Sequence, residues 1–255
     1  MRRAPERGVR DRPKLGAYLP GGTALRKILR SPAAPAVCVA SVELLCVTWL
    51  VAANVAGRPS AGDVGRCVLL SVLAGAYAEG GDRIERLRRY VANTTFVNAS
   101  SLWCLAGALV LPVGPAGAFT ALLYGHTLVR ARRHRSARPV RMIYTAATEV
   151  LATMSAAALI AALTDDPDAL GTSLRLGAVG VLAMLAYVLV NQTLILAVVY
   201  LASQPTSLRG VLPGVEDETM ELATLALAVL LAVCLLHAPY LAPLTLPLIV
   251  VLRRS

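Results

Sequence analysis

Residues 33–56 read AAPAVCVASVELLCVTWLVAANVA, an apolar run broken by one ionisable side chain, Glu43. About 20 apolar residues rising 1.5 Å each cross the ~30 Å of hydrocarbon in a bilayer, so this run is long enough to span as a helix. It lacks the alternation of polarity that a barrel strand needs. Comparable runs lie at Met142–Leu163, Leu174–Ala202, Met220–Leu236 and Gly117–Val129 with its flanks, and weaker ones at Val64–Ala78, Thr95–Leu111 and Leu241–Leu252. Composition points the same way: of 255 residues, 56% are apolar, 16% charged and only 5% aromatic. The mean hydropathy of +0.64 exceeds what one soluble core requires. The expected fold is all-α, a polytopic integral membrane bundle of about eight transmembrane helices.

The cations order these runs. Cytoplasmic loops keep Lys and Arg while translocated loops lose them. With eight spans and both termini inside, the inner segments hold 22 of the 25 basic residues, leaving only Arg58, Arg66 and Arg175 outside. The segment Thr164–Ser173, outer in this map, is acidic through Asp165, Asp166 and Asp168. Pro112-Val-Gly-Pro115 and His237-Ala-Pro239 are expected to end helices at tight outer turns. The predicted topology is therefore N-in and C-in. Leu241–Leu252, with Pro243 and Pro247, is the shortest crossing in it.

Residues 1–30 are rich in Arg, Gly and Pro, with almost no apolar run. They are expected to form a basic, mobile cytoplasmic tail ahead of a transmembrane domain over 31–255. The apolar run begins too late for a cleaved signal peptide, so the first helix is expected to be retained. Cys38, Cys46, Cys67, Cys104 and Cys234 fall singly within apolar stretches and read as small buried hydrophobes. His126, His134 and His237 share no metal-binding spacing. No metal and no cofactor are expected.

An ionisable group in hydrocarbon costs at least ~2.5 kcal/mol, which makes intramembrane carboxylates functional candidates. Glu43 is central in its run, and Glu149 has Thr145 and Thr153 on its face at i−4 and i+4. One reading makes both a proton, cation or polar-ligand site. The other makes them packing contacts that meet Asn191 or Gln192 of the sixth run. Glu221, which follows Glu216-Asp217-Glu218, is expected to serve the helix macrodipole at a helix start.

Arg83, Arg86, Arg88 and Arg89 alternate with apolar residues, as suits a segment lying at headgroup level. Arg132, Arg133 and Arg135 belong to a second basic cluster over 130–141. Both are expected to contact anionic headgroups at about 1 kcal/mol per residue. Lipid accounts for them without nucleic acid. The sequence lacks a P-loop, a GxSxG elbow, HExxH and a strand-linked GxGxxG. Gly80-Gly81-Asp82 begins like a GGDEF turn but continues Arg83-Ile84, so it reads as a flexible helix break.

Val97-Asn-Ala-Ser-Ser-Leu-Trp103, Tyr144-Thr-Ala-Ala-Thr148, Leu189-Val-Asn191 and Glu216-Asp-Glu-Thr-Met-Glu-Leu-Ala-Thr224, in this order, resemble one family. It is the multi-helix N-terminal membrane region of actinobacterial GGDEF-type diguanylate cyclases, and the likeness spans about residues 83–252. In that family the last helix leads into a cytoplasmic cyclase domain. No such domain follows Arg253-Arg254-Ser255, so the resemblance implies the input half alone, without catalysis.

The function expected is thus a non-enzymatic membrane sensor or interaction module with Glu43, Glu149, Asn191 and Gln192 as polar packing contacts. Its expected partners are anionic lipid, a cytoplasmic output-domain protein and a second copy of the chain. The alternative is a small proton-coupled secondary transporter using Glu43 or Glu149, although no internal repeat of the kind common in transporters is evident. A lipid-active enzyme would need a clustered site. The carboxylate cluster Asp165, Asp166 and Asp168 reads as a solvated outer turn.

Overall fold

The computed structural model describes residues 33–89, 100–133, 139–164, 174–203 and 215–238, with Tyr240, Leu241 and Thr245. Seven helices make up this part: α1 (Ala34–Ala56), α2 (Ala61–Arg89), α3 (Ser100–Val110), α4 (Val113–Arg133), α5 (Pro139–Leu163), α6 (Leu174–Ser203) and α7 (Val215–His237). No strand occurs among the described residues. Four helical segments, Ala34–Ala56, Ala61–Glu79, Val140–Leu163 and Gly177–Ser203, are long and apolar enough to cross a membrane. The fold is an all-helical bundle of membrane type. The tail 1–30, the turn Asp165–Asp168 and most of Leu241–Leu252 lie outside the described residues, as do Thr95–Asn98 and Ala99.

Local chemistry explains where these helices begin and end. Pro35 sits in the first turn of α1, where its missing N–H has no intrahelical acceptor to lose. At α2, Ser60 and Asp63 cap one another: Asp63 N–H donates to Ser60 Oγ at 3.1 Å, and Ser60 N–H donates back to Asp63 Oδ2 at 2.9 Å. This is a capping box with Asp in the third position, satisfying two orphan donors reciprocally. Between α3 and α4, only Leu111 and Pro112 are non-helical, and Pro115 falls in the first turn of α4. Ala116 N–H returns to the Pro112 carbonyl at 2.9 Å.

One expectation fails. Gly80-Gly81 does not interrupt α2, which runs through to Arg89. A glycine inside a helix costs only about 1 kcal/mol. Leaving backbone groups unpaired beside a bilayer costs several kcal/mol each, so keeping the helical bonds is the cheaper arrangement.

The shortest helix is central. α3, with 11 residues, is too short to cross a bilayer alone, and Leu102 through Val110 are all buried. It packs against α2, α4, α5, α6 and α7. Trp103, Leu102 and Leu105 anchor the main core with Phe119, Tyr187, Leu225 and Leu231. A second cluster joins α1 to α5 through Val42 and Cys46 against Tyr144, Val150, Leu151 and Met154.

Small residues set the approach of α1, α4 and α5. A Cβ on Gly117 would stand 2.7 Å from Met154 Sδ and 2.8 Å from Leu50 Cδ1, and one on Gly114 would stand 3.0 Å from the Ala53 carbonyl oxygen. Without a hydrophobic drive between helices in lipid, such close backbone contact supplies the dispersion that holds them. Asn54 Nδ2 fastens the joint, donating to the Leu50 carbonyl at 2.8 Å and to the Gly114 carbonyl at 3.2 Å. Val42 and Cys46 are the buried side chains of α1, and Leu44, Leu45, Val47, Val51 and Val55 face outward.

Candidate functional site

α5 carries Glu149 near its middle, and the neighbouring α6 presents Tyr187 and Asn191 one turn apart on the face that meets it. Packing α5 against α6 therefore closes three polar side chains into an apolar interior. Tyr187 donates its hydroxyl to Glu149 Oε2. Asn191 Nδ2 donates to Oε1 at 3.3 Å. All three are buried: Glu149 is 6% exposed, Asn191 4% and Tyr187 0%. No Lys, Arg or His partners the carboxyl among the described residues.

More polar groups line the same interior. Thr153 Oγ1 donates to the Glu149 carbonyl at 2.8 Å and accepts from Thr120 of α4 at 3.2 Å. The Cys104 thiol of α3 lies beside Thr120, Thr153 and Tyr187. Tyr124 of α4 shares a 2.8 Å hydrogen bond with Ser100 and lies beside Glu149. The Asn191 Oδ1 atom is buried and has no hydrogen-bond partner among the described residues. Such an acceptor carries its full desolvation cost, about 1–3 kcal/mol.

One residue along α6, Gln192 Nε2 donates to Glu221 Oε2 of α7 at 3.1 Å. Adjacent amides of one helix thus each hold a carboxyl from a different neighbour. Tyr144 adds a further α5–α6 tie, its hydroxyl donating to the Leu194 carbonyl at 2.6 Å.

The candidates read from sequence separate accordingly. Glu149 and Asn191 come together, and Gln192 lies beside them but bonds Glu221. Glu43 stays apart: half-buried on α1, it makes no hydrogen bond or ion pair with a described residue and lies one turn before Cys46. Thr153 joins the site, whereas Thr145 bonds back to the Arg141 carbonyl of its own helix at 3.0 Å. The reading of Glu221 needs correction. α7 begins at Val215, so Glu216, Asp217 and Glu218 occupy its first turn, while Glu221 lies beyond the reach of the helix-end dipole and pairs with α6.

Arg83, Arg86 and Arg89 lie on the last turns of α2, and Arg132 and Arg133 end α4; Arg135 is outside the described residues. Arg130 on α4 pairs with Glu79 on α2 at 2.9 Å, so both basic segments emerge at one end of the bundle. No three His, Cys, Asp or Glu side chains converge as a metal site requires among the described residues. Sequence reading missed Tyr187, Tyr124, Thr120 and Cys104. The first two carried a signal, since a tyrosine inside a lipid-length apolar run needs a partner for its hydroxyl.

Fold and site together define a helical bundle of membrane type whose interior holds a carboxyl in a neutral hydrogen-bonding shell. Comparisons with family models, characterised proteins and solved structures found no match.

Proposed function

We propose that the chain is a non-catalytic, membrane-embedded sensor or input module, related to the membrane region of diguanylate cyclases. It lies in the bacterial plasma membrane as about eight helices, N-in and C-in. The observation that carries the reading is the double hydrogen bond from α6 to the buried Glu149 of α5. One buried carboxyl thus ties two long helices at mid-length, so any stimulus that alters its bonding biases how they pack. The arginines of α2 and α4 hold the cytoplasmic end against anionic headgroups, where a separate output protein or a second copy can respond to that shift.

The test is a reporter output domain fused after Ser255, read in cells carrying wild-type chain, Glu149→Gln or Asn191→Leu. At equal membrane abundance, output changes on the order of tenfold if about 1.4 kcal/mol of packing preference is lost. Output indifferent to both substitutions sinks the reading.

One observation favours a second reading. A mid-helix carboxyl with no cation beside it among the described residues also fits a coupling site in a small proton-coupled transporter. Proteoliposomes in which a proton gradient drives solute uptake, abolished by Glu149→Gln, decide for transport over sensing.

A further inference from the structure

As placed, the Tyr187 hydroxyl faces Glu149 Oε2 and the Asn191 amide nitrogen faces Oε1, the arrangement that suits an ionised Glu149. That state carries two costs. A negative charge is buried with no cation beside it among the described residues, and the Asn191 Oδ1 acceptor is stranded in a side chain only 4% exposed. The two atoms of the Asn191 amide are interchangeable in shape. Turning the amide end over end places Oδ1 where Nδ2 now faces Glu149 Oε1.

Rotation alone would set two acceptors against each other. With a proton on Oε1 the arrangement becomes a donor facing an acceptor. One hydrogen bond, N–H to carboxylate, is exchanged for another, O–H to amide carbonyl, and the buried charge is removed. Tyr187 keeps its bond to Oε2 throughout.

We infer that Glu149 and Asn191 form a proton-binding switch, in which a proton taken from water forms the Oε1–H bond and the Asn191 amide turns to accept it. The inference rests on the sensor reading above and names the stimulus of that site. Release reverses both steps: the O–H bond breaks, the proton returns to water and the amide N–H again meets the carboxylate. Among the described residues, the other titratable groups near the carboxyl are Tyr187 on α6, Tyr124 on α4, Cys104 on α3 and Glu221 on α7. α1 packs on α5 through Val42 and Cys46, and its own carboxyl, Glu43, makes no bond to Glu149. Protonation of Glu149 is therefore the event that removes charge from the α5–α6 contact.

The experiment is infrared difference spectroscopy of the full chain in nanodiscs, between alkaline and acidic buffer, in H2O and D2O. Acidification is expected to produce the carbonyl band of a buried carboxylic acid, shifted in D2O and lost in Glu149→Gln. In Asn191→Leu the band moves to higher frequency, because the acid loses its acceptor. Glu149→Asp keeps an acid at the site and serves if the Gln variant does not fold; there the band is displaced, not lost. A wild-type spectrum with no such band overturns the inference, as does a band unmoved in both Glu149→Asp and Asn191→Leu. The measurement uses no reporter. A titrating Glu149 with a silent reporter sinks the sensor reading alone, and a responsive reporter without the band sinks only the proton switch.

Discussion

Tyr187 of α6 donates its hydroxyl to Glu149 of α5, 38 residues earlier in the chain, and both side chains are buried. Tyr187→Phe keeps the ring packed against α3 and α5 while removing the donor, leaving Oε2 without its partner. The expected loss of stability is about 1–3 kcal/mol, measured by denaturant titration in detergent. A double-mutant cycle with Glu149→Gln isolates the pair, and a coupling energy indistinguishable from zero rules this contact out as a tie.

Gly114 and Gly125 lie on the same helix and differ in what surrounds them. A Cβ at Gly114 meets the Ala53 backbone, which cannot swing aside as a side chain does, whereas nothing lies within 4 Å of one at Gly125. Gly114→Ala should cost about 1–3 kcal/mol by forcing α1 and α4 apart. Gly125→Ala should be neutral or stabilise by up to about 1 kcal/mol. Thermal denaturation of the two variants side by side separates close approach from helix propensity, and equal shifts would refute the contact.

Glu79 and Arg130 join α2 to α4, but the Glu79 side chain is 63% exposed. Solvent and salt screen such a pair, so Glu79→Gln should change stability by less than about 1 kcal/mol, with the difference fading as salt is raised. A larger, salt-independent loss would mean that the pair is shielded by neighbours or lipid.

The proposed threading places Arg58 outside and Ser136 inside. With the five native cysteines replaced, Arg58→Cys should react with a membrane-impermeant thiol reagent added to intact cells, and Ser136→Cys only after lysis. A tag at Ser255 that external protease removes from intact cells is incompatible with both ends lying inside.

The helices were legible because the signal is crude and strong. Long apolar runs fixed the locations of α1, α5 and α6 to within a few residues, and Pro112 and Pro115 located the α3–α4 turn. Glu149 was legible for a related reason, since a carboxylate in hydrocarbon demands a partner and Asn191 was a polar residue able to supply one. Which partners it takes depends on helix rotation. Helices that are apolar all round, such as α6, carry no amphipathic stripe to set that rotation. Thr120 and Cys104 therefore emerge only from packing, and so does the pairing of Tyr187 with Glu149. Gly80-Gly81 misled because turn preferences measured against water weaken where unpaired backbone is more costly than glycine entropy.

The joint at Asn54 ties residues 60 apart in sequence, so α1 leaves the ribosome well before α4 exists to receive it. In that interval it must stand alone in lipid, which its internally bonded backbone and outward valines and leucines allow. A fault at Gly114 thus strikes after insertion is complete. The cell would hold a correctly threaded chain whose first helix drifts free, a defect visible to quality-control proteases and invisible to any assay of membrane integration.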